Sequence, residues 1–200
     1  MPELILASTS PWRRQILVDV GLKVRAEASH VDESQVSSLD ATYLVEALAL
    51  RKAVAVANRF PDAWVIGADQ VAHDARSPSE IWGKPRDPAA HLEQLRRIRG
   101  RPHTLTTGFA IVAPGFTEIG HEVSVLYGRA DLEDGELQAY VDTEEGRFCA
   151  GGYAAEGRGG FLFERIEGDW FNVLGLPLFR ILGILRSHGW RFGDHDVGIR

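Results

Sequence analysis

From residue 39 to residue 59 the chain is rich in alanine, leucine and valine, and no helix breaker interrupts it before Pro61. A run of that length and composition is a helix. Trp64-Val65-Ile66-Gly67-Ala68 follows almost at once and has the apolar, partly β-branched make-up of a short buried strand. The same alternation fills the remainder. Residues 3–7 form a strand. Ser10 and Pro11 suit the N-cap and first position of a helix that runs to about Val20 and stops at Gly21. Residues 87–99 read as a helix ending at Gly100, 133–142 as another, and 176–187 as a last amphipathic one. Two stretches of β character, 103–113 and 121–130, are joined through Pro114-Gly115 and predict a long hairpin. Alternating strands and helices make the class α/β, and the hairpin makes its sheet mixed rather than parallel.

The chain's 200 residues suit one domain, here residues 1–190, followed by a polar tail, 191–200, expected to fray. A formal charge of -6 argues against a nucleic-acid partner, so any phosphate bound here has to be met by a few local cations. The single cysteine, Cys149, rules out an internal disulfide and a CxxC metal site. Neither a secretory leader nor an 18-residue apolar span is present in the sequence, which leaves no membrane partner and a cytoplasmic location by elimination.

Several residues look placed for chemistry. The turn Ala7-Ser8-Thr9-Ser10-Pro11-Trp12-Arg13-Arg14 combines free backbone N–H groups, a positive helix end, hydroxyls and two arginines, the features of an anion site. An ordinary capped helix with solvated arginines is the alternative. Lys52 falls near the middle of the apolar stripe formed by Ala41, Leu44, Val45, Leu48, Ala49, Ala55 and Val56. Burying an ammonium there is costly without an anion, so a phosphate or carboxylate partner is expected, unless the lysine snorkels at the rim. Asp69, read as closing the strand 64–68, is a candidate general base or metal ligand. Asp32 and Glu33 supply further carboxylates, and Gly83-Lys84-Pro85 another cation. The P-loop and GxGxxG patterns are both absent. The seven histidines have no metal-ligand spacing, and His103 and His121 are most simply sheet or loop residues. Cys149 reads as a small core residue rather than a nucleophile.

Together these segments resemble the Maf family of nucleotide pyrophosphatases over residues 3–187. The matching pieces are LILASTSPWRR (4–14), VDES (31–34), KA (52–53), VIGADQV (65–71), GKP (83–85), TG (107–108), CAG (149–151), EGRG (156–159) and IEGDWFNVLGLPL (166–178). The resemblance implies a fold related to the inosine-triphosphate pyrophosphatases, with two α/β lobes around a central cleft on a bent mixed sheet. It also implies hydrolysis of a nucleoside triphosphate between the α- and β-phosphates, assisted by a divalent cation, Mg²⁺ or Mn²⁺. By the same resemblance Asp69 is the proton acceptor and Glu33 its partner in holding metal. Ser8, Arg13, Lys52 and Lys84 bind the triphosphate, with Lys52 and Lys84 also stabilising the departing charge.

Within the family, the pyrimidine-type members carry arginine, threonine and glutamine where this chain has Trp12, Gln70 and Glu156, and lysine where it has Cys149. The present set resembles the YceF subgroup, whose members hydrolyse 7-methyl-GTP. N7-methylation gives guanine a positive charge, which favours the indole face of Trp12, and the carboxylate of Glu156 can accept from the N1–H and N2–H of its Watson–Crick edge, with Gln70 bonding the base or ordering its neighbours. UTP or dTTP as substrate is the alternative within the same chemistry. A non-catalytic nucleotide-binding regulator of cell division is the alternative of another class, disfavoured by the intact Asp69, Glu33, Lys52 and Lys84. The oligomeric state, a homodimer included, is left open.

Overall fold

A computed structural model describes residues 2–77, 79–191 and 193. The expected frayed tail falls almost wholly outside them. The described residues form one seven-stranded mixed sheet and six helices.

β1 (Leu4–Leu6) lies between β2 (Val24–Ala26) and β3 (Trp64–Asp74), parallel to both. The helices that make those returns cover opposite faces. Leu4 and Leu6 point one way, into a core shared with Ile16 and Leu17 of α1 (Pro11–Asp19) and Leu178, Ile181 and Leu185 of α6 (Leu178–Ser187). Ile5 and Ala7 point the other way, against Ala49, Ala53 and Val56 of α2 (Ala41–Ala57). This is the two-residue alternation of a strand buried on both sides. Beyond β3 the sheet becomes antiparallel. β5 (Pro102–Ala113) pairs with β3 along Val65–Asp74 and with β6 (Phe116–Gly128), which in turn pairs with β7 (Phe163–Glu167). The two-strand turn is Pro114-Gly115, as the sequence indicates, with Gly115 at φ +69°. A short β4 (Ile81–Trp82) pairs with the far end of β3.

A second core lies at that far end, under α3 (Pro88–Ile98) and α4 (Asp134–Asp142), around Leu95, Ile98, Leu105, Leu126, Leu137 and Tyr153. β3 therefore runs beneath both cores, and a cleft opens between them. Helix ends follow local chemistry: Asp40 and Asp87 cap α2 and α3 with their carboxylates, and Glu133 and Glu136 form a capping box on α4.

The sequence reading needs correction in β3. It ends the strand at Ala68, whereas the strand continues to Asp74, so Asp69 and Gln70 lie in its middle. The apolar run ends there because the strand passes from the first core to the cleft, but β5 supplies ladder partners all the way. β2, β4, β7 and the one-turn helix α5 (Trp170–Val173) were not legible, each being five residues or fewer.

Candidate active site

The position of Lys52 follows from how closely α2 lies on the sheet. Gly67 and Gly108 face that helix, and a Cβ on either would run into the backbone of Ala49 or Val45. With Ala49, Ala53 and Ala110 also small, the helix settles onto β3 and β5 and carries Lys52 to Asp69, which is paired with Gly108 in the ladder. Lys52 is buried, at 8% exposure, and its Nζ lies 2.5 Å from Asp69 Oδ1 and 2.7 Å from Glu33 Oε1. The anion the apolar stripe demanded is thus a pair of carboxylates, and the lysine does not snorkel.

Glu33 stands on a one-turn 3₁₀ helix, Glu33–Gln35. Its neighbour Asp32 turns back to accept from Ser34 and Gln35 and so caps that turn, while Glu33 faces the cleft. Burial alone pushes the Glu33 carboxyl up, but the hydrogen bond and charge of Lys52, with Lys84 and Arg13 beyond, outweigh it, and it titrates below its ordinary value.

At the start of α1 the Ser10 hydroxyl accepts from the Arg13 N–H, and Ser8 Oγ accepts from the Ser10 N–H. Arg13 turns inward: Nε donates to Gly175 O at 2.7 Å and Nη1 to Ala68 O at 2.8 Å. Burial lowers its pKa, with Asp69, Glu33 and Cys149 pulling the other way. A guanidinium remains charged regardless. Arg13 therefore clamps α1 to β3 and to the turn before α6, and its remaining N–H groups are available to an anion. Arg14, the other first-turn arginine, is exposed and does not line the cleft.

Ser8, Trp12, Arg13, Glu33, Lys52, Asp69, Gln70, Lys84 and Glu156 all line one cleft of about 1000 Å³, whereas Asp32 and Arg14 do not. Ser8, Trp12 and Arg13 come from α1 and its approach. Glu33, Lys52, Asp69 and Gln70 line it from the neighbouring elements, Lys84 from the loop after β4, and Glu156 from the glycine-rich segment. Trp12 is 52% exposed and is not among the residues that pack in the core around the buried Ile16. Cys149 lines the cleft instead of the core. Burial and the nearby Glu156 push its thiol up, which leaves it a poor nucleophile. His103 and His121 are sheet residues, as expected. Burial depresses His103 to about 3, so it is neutral, and His121 meets Glu46.

Glu33 and Asp69 are the two carboxylates brought together; among the described residues no cluster of three or more His, Cys, Asp or Glu is placed to hold a metal. Two carboxylate oxygen donors beside a phosphate-sized cleft fit a hard cation that draws its other ligands from the substrate and water. Sequence reasoning passed over Phe148, 75% exposed in the cleft with the Arg147 guanidinium 5.2 Å from its ring centre. It also assigned no role to Thr107 and Asn172, buried behind Gln70, although both lie in quoted motif pieces.

Residues 3–188 match the family model described as Maf-like protein. The chain belongs to the Maf family. Among its relatives, the dTTP/UTP pyrophosphatase of Symbiobacterium thermophilum is 40% identical over 190 residues, covering 95% of this chain and 96% of that one. The dTTP/UTP pyrophosphatase of Moorella thermoacetica is 42% identical, covering 94% and 96%. The nucleoside triphosphate pyrophosphatase of Microcystis aeruginosa is 37% identical, covering 96% and 97%. The resemblance is thus upheld at the level of the family. These relatives bear names for pyrimidine or unspecified substrates and not the 7-methyl-GTP subgroup's name. Among the described residues no helix is long and apolar enough to cross a membrane.

Proposed function

We propose that this chain, a Maf-family hydrolase of nucleoside triphosphate anhydrides, takes 7-methyl-GTP and releases 7-methyl-GMP and pyrophosphate. The observation that carries the choice of base is the pairing of a half-exposed indole, Trp12, with the exposed carboxylate of Glu156 in one cleft. A cationic purine gains from both, whereas a neutral pyrimidine offers a smaller face and no charge.

In this reading Asp69, held in place by Lys52, takes a proton from water as the water oxygen attacks the α-phosphorus. The bond from that phosphorus to the α–β bridging oxygen breaks, and pyrophosphate departs with its charge met by Arg13, Lys52 and Lys84. A divalent cation held by Glu33, Asp69 and the phosphate oxygens would supply Lewis-acid neutralisation of the triphosphate. Lys52 has a double duty, since it also spans both carboxylates.

A second reading keeps the chemistry and changes the base to uracil or thymine, and the names of the relatives favour it. Purified protein with Mg²⁺ or Mn²⁺, assayed for monophosphate and pyrophosphate on 7-methyl-GTP, GTP, UTP and dTTP, decides between them. Glu156→Gln and Trp12→Ala should then reduce kcat/KM for 7-methyl-GTP far more than for UTP. Equal losses on both substrates, or a wild-type enzyme that prefers UTP, would remove the 7-methyl-GTP reading and leave the pyrophosphatase intact.

A further inference from the structure

Gln70 lies on the face of β3 opposite to Asp69 but lines the same cleft, and its amide is tied down on one side. Nε2 donates to the Asn172 main-chain carbonyl at 2.7 Å and to Thr107 Oγ1 at 2.9 Å. The Thr107 hydroxyl in turn reaches the same Asn172 carbonyl at 3.4 Å, which turns its lone pairs toward Gln70. Both amide protons are therefore spent on acceptors. Turning the amide over would set Oε1 against the Asn172 carbonyl, two acceptors face to face, so the orientation is fixed by chemistry as well as by fit.

The anchor behind Gln70 is rigid. Thr107, Ser124 and Asn172 are fully buried. Asn172 Nδ2 donates to Ser124 Oγ at 2.9 Å and to Leu105 O at 3.3 Å, and Ser124 Oγ donates to Asp169 O at 2.9 Å. Gln70 Oε1 makes no hydrogen bond with the described residues. Gly175, whose φ of +94° favours glycine, lies beside Oε1 and the Arg13 guanidinium.

We propose that Gln70 meets the nucleotide as an acceptor only, locked in that polarity by the positioning residues Thr107 and Asn172, and so selects a nucleoside that places an N–H or O–H donor against it. A base lactam N–H, as on guanine N1 or uracil N3, and a ribose hydroxyl supply the same chemistry. The inference rests on the cleft taking a nucleoside triphosphate, not on which base it prefers.

The test compares kcat/KM for UTP, 3-methyl-UTP, 2′-deoxy-UTP and 3′-deoxy-UTP. Wild type should lose roughly ten- to hundredfold on the one analogue whose missing donor faces Oε1, the size of an acceptor left unpaired in a part-buried site. A base donor shows on the methylated substrate and a sugar donor on a deoxy one. Gln70→Leu should abolish that difference. Thr107→Val, isosteric but unable to hold the amide, should narrow it, and Thr107→Ser should restore it. No loss on any analogue, a difference that Thr107→Val leaves undiminished, or variants that slow all four substrates alike would overturn the lock. If the protein hydrolyses no nucleotide, the pyrophosphatase reading fails separately, and the same ratios are read as Kd values by calorimetry. A preference for UTP over 7-methyl-GTP leaves the comparison unaffected.

Discussion

Lys52→Met tests whether the ion pair at the centre of the cleft is a structural element or only a catalytic one. Methionine retains the apolar stem and removes the charge. Asp69 then keeps a carboxylate only 12% exposed with no cation against it, while Glu33, at 58%, is left largely to solvent. Asp69 therefore dominates the cost. Removing one partner of a buried pair typically destabilises by ~3–5 kcal/mol, and the Glu33 contact, being exposed, adds at most a few tenths to ~1 kcal/mol. At ~2–4 °C per kcal/mol for a chain of this size, the melting temperature should fall by ~6–20 °C. The decisive arm is the double variant Lys52→Met/Asp69→Asn, in which no charge is left buried. Its stability should return to within ~1–2 kcal/mol of wild type even though both variants are inactive. Urea unfolding followed by tryptophan fluorescence reads the midpoints and slopes of all four proteins in the cycle. If Lys52→Met is as stable as wild type, or if the double variant is no better than the single, the buried-pair reasoning is wrong.

Asp69→Asn should leave nucleotide binding intact by calorimetry while lowering pyrophosphate release ~10²–10⁴-fold, the range for a lost general base; near-normal turnover removes Asp69 from the mechanism. Glu33 has a folded pKa below its ordinary value, so its pairing stabilises above the unfolded value near 4.5 and that contribution is lost as pH falls through the folded pKa. Glu33→Gln should accordingly flatten the loss of stability on acidification across that window, and an unchanged pH profile of the urea midpoint would count against the pairing. Gly108→Ala places a methyl against the backbone of Val45 and should push α2 away from β5, costing about 2 kcal/mol or more and slowing turnover through Lys52; full activity with wild-type stability would show that the close approach is not what places the lysine.

The long elements were legible because each carries its own signal: the capped helices α1 to α4, the hairpin through Pro114-Gly115, and the start of β3 all announce themselves within a dozen residues. The buried position of Lys52 was legible for the same reason, since a charge in an apolar stripe is a local contradiction that needs a partner. What that partner is was not local. Asp69 and Glu33 meet the lysine from separate segments, and their convergence depends on small residues at Gly67 and Gly108, whose reason for being glycine lies in α2. The extent of β3 was misread because a strand that crosses from one core to a cleft loses its apolar pattern while keeping its ladder. Thr107 and Asn172 gave no signal beyond standing in motif pieces. A threonine in a strand and an asparagine in a one-turn helix are ordinary residues, and only their hydrogen bonds to Gln70 give them a role. Phe148 could have been noticed as a lone large ring in a glycine-rich, polar stretch.

The residues proposed to meet the nucleoside differ in how firmly the fold holds them. Two cores, the close seat of α2, the Lys52–Asp69–Glu33 cluster and the inward arginine make up the frame of the site. Trp12 and Glu156 stand at the exposed rim of the cleft, one on the first turn of α1 and the other in a turn, where a change of side chain disturbs neither core. Selectivity at such positions can change without altering the rest of the chain. Gln70 differs from both because its amide is built into the interior through Thr107 and Asn172. A change there requires either a side chain that can use the same anchors or a rearrangement of those anchors. In the proposed reading the rim sets which base is preferred, while Gln70 imposes one polarity on the nucleoside group that meets it. A panel that varies the charge and size of the base should respond to Trp12 and Glu156, and a panel that deletes single donors should respond to Gln70 and Thr107. If the two sets of variants shift the same substrate ratios, the division between rim and anchored interior does not hold.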